Sequence, residues 1–306
     1  MIDEAEVPPA SPSRALVLGG GGPVGRAFHW GLCAGLLDAG IDLRTADLIV
    51  GTSAGAIVGA QLALQIDPRH GPPIIDGYAT SPRSDGAAAA MQALMVGCAR
   101  AVGSPHPEAE WREIGALAMA AETVSEDTAL ARPSVEAIAG QPWPTNFRAT
   151  AIDARSGEFR IWGPSDSVPL DRACASSAAL PGVWPPISIC GSQYVDGGVR
   201  SMLNADTAKG FARVIVISCF DLSSPIEAPA PIRILNEALR HEIEQLRDHG
   251  SMVEVISPDL AFLALTGFGS RMLDNGLVPE AYRLARSQAL RERDHVQAVW
   301  LATPID

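Results

Sequence analysis

Short apolar runs alternate with helical patterns along the first 65 residues. The run Arg14–Leu18 ends at four consecutive glycines and is followed by a helical pattern over Arg26–Asp38. A second run, Asp47–Val50, passes through a turn of small residues into another helical pattern that ends near Gln65. Two strand–turn–helix units in succession predict a layered α/β fold with parallel strands.

The pattern changes between residues 67 and 143. Two alanine-rich stretches, Ala87–Ala101 and Trp111–Ala121, have helical spacing, and a segment rich in Pro and Gly precedes them. The segment is either an ordinary crossover between two strands or a helical cap over a site at the sheet edge. Its length and composition fit both interpretations.

Further strand and helix patterns continue to the end of the chain. Strands are predicted at Asn146–Ile152, Glu158–Trp162, Gln193–Val195, Arg213–Cys219 and Met252–Ile256, and helices at Ile232–Arg247 and Pro279–Arg293. No repeat or linker divides the chain. We therefore predict one domain over residues 14–306, with 67–143 as a helical insertion or cap and 1–13 as a flexible leader.

Composition narrows the possible functions. The chain has 306 residues, of which 47% are hydrophobic and 19% charged, so it can build a large core. Its formal net charge of −12 argues against nucleic acid as a partner and against a membrane bound by charge alone. Lys209 is the only lysine, which argues against Schiff-base chemistry and leaves no Walker A phosphate loop.

The cysteines are five, scattered and without a Cys-x-x-Cys pair, which predicts reduced, buried thiols rather than disulfides or a zinc site. They are Cys33, Cys98, Cys174, Cys190 and Cys219. The N-terminus lacks the layout of a signal peptide, and the most apolar stretches, Ile49–Leu64 and Ala87–Ala99, are too interrupted to span a membrane. We expect a cytoplasmic protein with peripheral membrane contact as an option.

The sequence Gly51-Thr52-Ser53-Ala54-Gly55 joins a predicted strand to a predicted helix. A sharp turn of this kind leaves no room for side chains beside the serine, so glycines flank it. The turn projects the hydroxyl outward, and the helix N-terminus favours a developing negative charge. This placement favours Ser53 as a nucleophile over a turn that is merely tightly packed.

A second sequence, Gly20-Gly21-Gly22-Pro23-Val24-Gly25, has the spacing of a dinucleotide-binding loop. That function needs an acidic residue at the end of the next strand, where this chain continues into Ser53. Exposed backbone N–H groups beside a helix start also suit an oxyanion. A glycine loop next to a serine turn is a coherent acyl-transfer site, and Asp196, which ends a strand before two glycines, is a candidate base for it.

In this order, the glycine loop, the Ser53 turn and Asp196-Gly197-Gly198 resemble the patatin-like phospholipase family. The stretch Ala175–Pro181, followed by Trp184-Pro185-Pro186, is similar to that family's small-residue and proline stretch, and the resemblance extends over about Ala15–Asp206. It implies a three-layer α/β/α fold with a mostly parallel sheet, and a Ser–Asp dyad that hydrolyses lipid acyl esters.

The resemblance also implies a role for each matching position. Ser53 is the nucleophile and Asp196 the base; the oxyanion hole is Gly20, Gly21 and Gly22, and the supporting glycines are Gly25, Gly51, Gly55 and Gly197. Two positions depart from the family pattern. Val24 stands where a basic residue is frequent, with Arg26 just after the loop, and Trp184 stands where phenylalanine is usual.

A Ser-Asp-His triad is the nearest alternative, because His241, His249 and His295 follow Asp196 in the chain. In the triad fold, however, the nucleophile follows several strands, whereas Ser53 follows the second. We predict a phospholipase A or lysophospholipase that uses the dyad, acts on a lipid acyl ester and needs no metal or cofactor. A short-chain esterase or thioesterase and a low-turnover acyl-binding or regulatory protein are the alternatives.

Overall fold

The computed structural model describes residues 13–76, 86–223 and 229–302, with 86–93 described by their backbone alone. The strands are β1 (Arg14–Leu18), β2 (Leu48–Gly51), β3 (Phe147–Asp153), β4 (Phe159–Trp162), β5 (Ile187–Ile189), β6 (Ser192–Asp196), β7 (Arg213–Ile217) and β8 (Met252–Ile256). The helices are α1 (Gly22–Asp38), α2 (Ala54–Ala63), α3 (Gly86–Ala101), α4 (Pro107–Ala120), α5 (Glu126–Leu130), α6 (Pro133–Glu136), α7 (Leu170–Ser177), α8 (Ala230–Asp248), α9 (Leu260–Leu265) and α10 (Val278–Trp300).

The eight strands form one sheet in the order β5-β6-β3-β2-β1-β7-β8, and β4 also pairs with β3. Strand β1 lies inside the sheet and runs parallel to β2 and β7, with Leu16 opposite Ile49 on one side and Ile215 on the other. The pairs β3–β4, β3–β6 and β5–β6 are antiparallel. The predicted mostly parallel sheet is therefore confirmed.

Helices cover both faces of the sheet. On one face, α1, α2, α7 and α10 bury alternate strand residues, such as Leu16, Ile49 and Ile215. On the other face, α8 covers Val17 and Val214, and α3 and α4 cover Ile152. This alternation follows from the period of two along a strand, and the three-layer α/β/α fold is confirmed.

The first helix begins four residues earlier than the pattern predicts, inside the glycine loop itself. It starts at Gly22, with Pro23 in its first turn. Proline is favoured there because its missing N–H would have no partner within the helix and its fixed φ suits helical geometry. The loop and the start of α1 are therefore one unit, which fixes where the loop's remaining amides lie.

The segment 67–143 contributes helices to both faces of the sheet. Helices α3 and α4 pack with β3 and β6, whereas Ala129 of α5 and Val135 of α6 belong to the opposite core. Its role as a cap stays a prediction, and the leader lies outside the described residues except for Ser13. In the described parts of the chain, no helix has the length and apolar character to span a membrane.

All five cysteines are free, as predicted. Four of them are buried, but Cys190 is exposed, so the expectation of burial was wrong at that position. It lies in the tight turn between β5 and β6 with a φ of 51°.

Candidate active site

Ser53 stands at the junction of β2 and α2. Its φ of 55° and ψ of −115° lie in a backbone region that residues other than glycine rarely adopt. The turn is tight because its glycines allow close approach: a Cβ on Gly51 would lie 2.4 Å from the Gly55 carbonyl oxygen, and one on Gly55 would lie 2.0 Å from the Leu18 carbonyl oxygen. The predicted support by Gly51 and Gly55 thus has a steric basis.

A buried serine on a neighbouring helix holds the backbone of Ser53. The Ser53 amide N–H donates to Ser177 Oγ at 2.9 Å, and Ser177 is the last residue of α7. Ser177 belongs to the small-residue stretch that resembles the family, and no role was predicted for it. In the sequence it is only a serine among small residues. In the structure it is buried, and a buried hydroxyl needs a hydrogen-bond partner.

Asp196 reaches the same sheet edge from β6. Because β6 runs antiparallel to β3, its last residue lies opposite Ala151, close to the level at which Ala149 pairs with Gly51. The Asp196 carboxylate accepts a hydrogen bond from the Gly198 amide at 2.7 Å, and the Ser53 hydroxyl lies close enough to lower the pKa of the same carboxyl group. The two residues predicted to form the dyad are therefore brought together.

Burial sets the protonation of Asp196, which is only 2% exposed. Loss of solvation raises its pKa from the ordinary 3.8 to about 7. The Ser53 hydroxyl, the Gly198 amide and the positive charge of Arg132 each oppose this rise. A carboxyl group with a pKa near neutrality is suited to accept and return a proton during one reaction cycle.

One asparagine ties the two turns together. The amide nitrogen of Asn204 donates to Thr52 Oγ1 at 3.0 Å and to the carbonyl oxygens of Gly197 and Ser201 at 3.2 and 2.7 Å. It also lies 3.3 Å from Oγ1 of Thr150, against which a Cβ on Gly197 would clash at 2.3 Å. Sequence reasoning missed Asn204, whose only signal was a polar residue shortly after Asp196.

The glycine loop lies against the serine turn. A Cβ on Gly20 would lie 3.4 Å from the Ser53 Cβ, so loop and nucleophile are neighbours. The Gly20 amide, however, donates to the Met202 carbonyl at 2.8 Å, so its prediction as an oxyanion donor was wrong. Among the described residues, the amides of Gly21 and Gly22 have no hydrogen-bond acceptor.

Two buried side chains support the loop from behind. His29 Nε2 lies 2.8 Å from the Gly19 carbonyl oxygen and 3.2 Å from Cys219 Sγ. Burial lowers the pKa of His29 to about 4, so the ring is neutral at physiological pH and its Nε2–H donates to the carbonyl. A Cβ on Gly25 would lie 3.0 Å from the same sulfur, which accounts for glycine there.

The other predicted alternatives do not assemble around Ser53. His241 and His249 bond to Gln245, and His295 is exposed on α10 beside Glu254. Within the described chain, no histidine is hydrogen-bonded to Ser53 or Asp196, so the triad has no geometric support. Glu254, Glu292 and His295 have ligand atoms within 4.8 Å of one another, but this acidic group lies on the edge strand β8 and on α10, outside the site.

The departure at Val24 and the arginine that follows the loop both have structural consequences. Val24 is fully buried in α1. Arg26 is buried too, and its Nη2 lies 2.8 Å from Asp76 Oδ2. Burial lowers the pKa of Arg26, and the Asp76 charge opposes that change. The positive charge next to the loop is therefore already compensated.

Comparison with known proteins gives a family and two solved structures. The model of the family described as patatin-like phospholipase matches residues 16–209. VipD from Legionella pneumophila shares 13% identity, with a TM-score of 0.42, 93% of this chain and 68% of that chain covered. The type III effector ExoU shares 18% identity, with a TM-score of 0.32 and coverages of 94% and 63%. No curated protein matches significantly. Because the family model spans more than half of the chain, this protein belongs to the patatin-like phospholipase family.

Proposed function

We propose that this protein is a serine hydrolase that cleaves lipid acyl esters through a Ser53–Asp196 dyad. The family acts on lipid esters, which supports the substrate class. The observation that carries the proposal is that the Ser53 hydroxyl lies close enough to the buried Asp196 carboxyl group to favour its ionised form. A strained serine turn beside a carboxyl group with a pKa of about 7 is suited to nucleophilic acyl transfer.

Each half of the reaction uses the same two residues. Ser53 Oγ attacks the ester carbonyl carbon while its proton passes to Asp196, and the carbonyl oxygen becomes an oxyanion. The amides of Gly21 and Gly22 donate to that oxyanion. The bond to the leaving alcohol then breaks, and the alcohol takes the proton from Asp196.

Water completes the cycle. It attacks the acyl-serine carbonyl and gives a proton to the Asp196 carboxylate, so that a second oxyanion forms in the same place. When the bond to Ser53 Oγ breaks, the proton returns to the serine oxygen and the carboxylic acid leaves. One ester and one water molecule are consumed in each cycle, and Ser53 and Asp196 return to their starting protonation states.

The decisive experiment is covalent labelling with a fluorophosphonate probe together with hydrolysis of phospholipids, triacylglycerols and simple esters of graded chain length. Ser53→Ala should lose both labelling and hydrolysis, and Asp196→Asn should lose hydrolysis, each with an unchanged circular dichroism spectrum. His241→Ala, His249→Ala and His295→Ala are the controls and should keep most activity. A folded wild-type protein that neither labels nor turns over any ester would favour an acyl-binding role instead.

A further inference from the structure

Arg132 is a buried arginine with an unpaired nitrogen. It is 3% exposed, and among the described residues its Nη2 has no hydrogen-bond acceptor. Its Nε donates to the Ala129 carbonyl at 2.8 Å, and its guanidinium carbon lies 4.1 Å from the centre of the Trp184 ring. These contacts hold the side chain in place, but neither a carbonyl nor an aromatic ring cancels its charge.

Arg26 shows how the same region compensates a buried arginine. Its partner Asp76 accepts from Arg26 Nη2 at 2.8 Å and from the amide and hydroxyl of Ser134, each at 2.9 Å. That carboxylate is therefore engaged by Arg26 and Ser134. Arg132, two positions before Ser134, is left without an ion pair in the described part of the chain.

Arg132 also lies near the dyad. It stacks on Trp184, whose amide donates to the Leu180 carbonyl at 3.0 Å, and the adjacent Ala179 carbonyl accepts from the Asp196 amide at 3.1 Å. The Arg132 charge lowers the pKa of Asp196. Asp196 is largely protonated below pH 7 and cannot neutralise Arg132 there.

Burial lowers the pKa of Arg132 to about 10, and the charges of Asp76 and, after it, Asp196 oppose that change. A buried cation that has to share the Asp76 charge with Arg26 is only partly compensated, and an anion bound at the site relieves the remaining cost.

We propose that Arg132 binds the phosphodiester group of a glycerophospholipid whose acyl ester lies at Ser53, an inference that rests on the proposed function. The planar guanidinium can donate to two phosphate oxygens at once. In a glycerophospholipid the phosphodiester is only a few bonds from the acyl esters, so one substrate molecule can reach both residues. Arg132 thus supplies, from between α5 and α6, a positive charge that the glycine loop lacks at Val24.

The test compares two substrates with the same acyl chains, monomeric dihexanoylphosphatidylcholine and dihexanoylglycerol. Both are measured at pH 9, so that Asp196 is ionised in the wild type and also in a variant that lacks the Arg132 charge. Arg132→Gln should lower kcat/KM for the phosphatidylcholine by roughly 10- to 100-fold, because it removes a charge-assisted hydrogen bond. Its effect on the diacylglycerol should stay within about threefold by the same reasoning. The matched control is Arg172→Gln, since Arg172 is already paired with Glu126 at 2.7 Å.

A binding measurement separates this inference from the proposed reaction. Glycerophosphocholine should raise the melting temperature of Ser53→Ala, and it should not raise that of Ser53→Ala/Arg132→Gln. If Arg132→Gln does not fold, Arg132→Lys keeps the charge without the planar fork and should still reduce the preference for phosphatidylcholine. Equal losses on both substrates, or equal stabilisation with and without Arg132, would overturn the proposal. Loss of all hydrolysis in the wild type, with glycerophosphocholine binding intact, would count against the reaction alone.

Discussion

At the scale of single residues, the site depends on one carboxyl group held at an unusual protonation. Asp196 lies at the end of β6 with almost no access to water. The effect of burial on its pKa outweighs that of Ser53, Gly198 and Arg132, which favour the ionised form. The result is a pKa of about 7 rather than the ordinary 3.8. An acid with this pKa is a stronger base toward the Ser53 hydroxyl than an exposed aspartate would be, while enough of it is ionised at neutral pH to react.

The first prediction concerns the pH dependence of activity. Only the ionised form of Asp196 can accept the Ser53 proton, so kcat/KM should rise with pH and level off above an inflection near 7. A histidine base could give a similar curve. Carboxylic acids ionise with little enthalpy and imidazoles with much more, so the inflection should hardly move between low and high temperature. An inflection near 4, or one that shifts strongly with temperature, would contradict Asp196 as the base.

The second prediction concerns stability and follows from the same shift. Below the unfolded pKa near 3.8, Asp196 is protonated in both states. As pH rises to 7, the unfolded chain releases this proton while the folded chain keeps it, so the folded state loses up to about 1.4 kcal/mol per pH unit. The Asn side chain in Asp196→Asn cannot titrate. The melting temperature of this variant minus that of the wild type should therefore increase as the pH rises from 4 to 7.

Glu242 contributes a similar pH dependence to the stability of both proteins. Burial raises its pKa to about 7 as well, so it destabilises the folded state over the same pH range. The residue is present in both proteins, and only the difference between them reports on Asp196. A difference that stays constant from pH 4 to 8 would mean that the folded pKa of Asp196 is not raised.

At the scale of elements, the dyad depends on how two turns are tied together. Ser53 follows β2 and Asp196 ends β6, and these strands are separated in the sheet by β3. Asn204 spans that gap, because its amide reaches Thr52 in one turn and Gly197 in the other. Its own φ of 50° is one that asparagine adopts more readily than most residues.

The third prediction uses two substitutions of Asn204. Asn204→Ala should lower the free energy of unfolding by roughly 1–3 kcal/mol, because buried acceptors lose their donor, with a further cost for alanine at positive φ. Asn204→Gly removes the same hydrogen bonds without that backbone cost. Both variants should lower kcat by about tenfold or more as Ser53 and Asp196 lose their alignment. A folded Asn204→Gly protein with wild-type kcat would refute this role.

The fourth prediction concerns α3, which passes beside the dyad: the Asp196 charge, after burial itself, raises the pKa of the Cys98 thiol. Leu94 packs with the core under α3, and Met95, its half-buried neighbour, does not belong to that cluster. Leu94→Trp should therefore lower the melting temperature, whereas Met95→Trp should shift the preference toward shorter acyl chains at near-normal stability. Unchanged chain-length preference in a destabilised Met95→Trp would make α3 ordinary packing.

The sequence revealed the turns of this site but not what holds them. Ser53 and Asp196 could be predicted because a strand, a glycine and a functional residue are adjacent in the chain. The roles of Ser177, Asn204 and Arg132 depend on contacts between residues far apart in sequence, for which one sequence has no periodic signal. The error at Gly20 has the same origin, since its amide is taken by Met202 from a distant loop.

At the scale of the whole molecule, a net charge of −12 is combined with large apolar side chains that are exposed on the surface. Phe268 and Leu260 are 76% and 79% exposed, although Phe262 and Leu263 between them are buried. A few residues after this stretch, the chain contacts the glycine loop, because a Cβ on Gly22 would lie 2.9 Å from Leu273 Cδ2. The stretch Leu260–Phe268 is thus half core and half exposed surface, and it lies a few residues before the part of the chain that contacts the glycine loop.

The fifth prediction is that this surface inserts into a bilayer through apolar contact, so binding to zwitterionic vesicles should match or exceed binding to anionic ones and depend weakly on salt. Phe268→Asn, chosen because asparagine tolerates the φ of 54° at this position, should weaken vesicle binding by about tenfold or more as the buried ring is lost. Hydrolysis of a monomeric short-chain ester should not change. Leu117→Gln is the control, since Leu117 is 62% exposed on α4, at the opposite face of the sheet. Preference for anionic vesicles that disappears at high salt would instead require local positive charge to act against the net charge of the chain, and it would rule out apolar insertion as the main attraction.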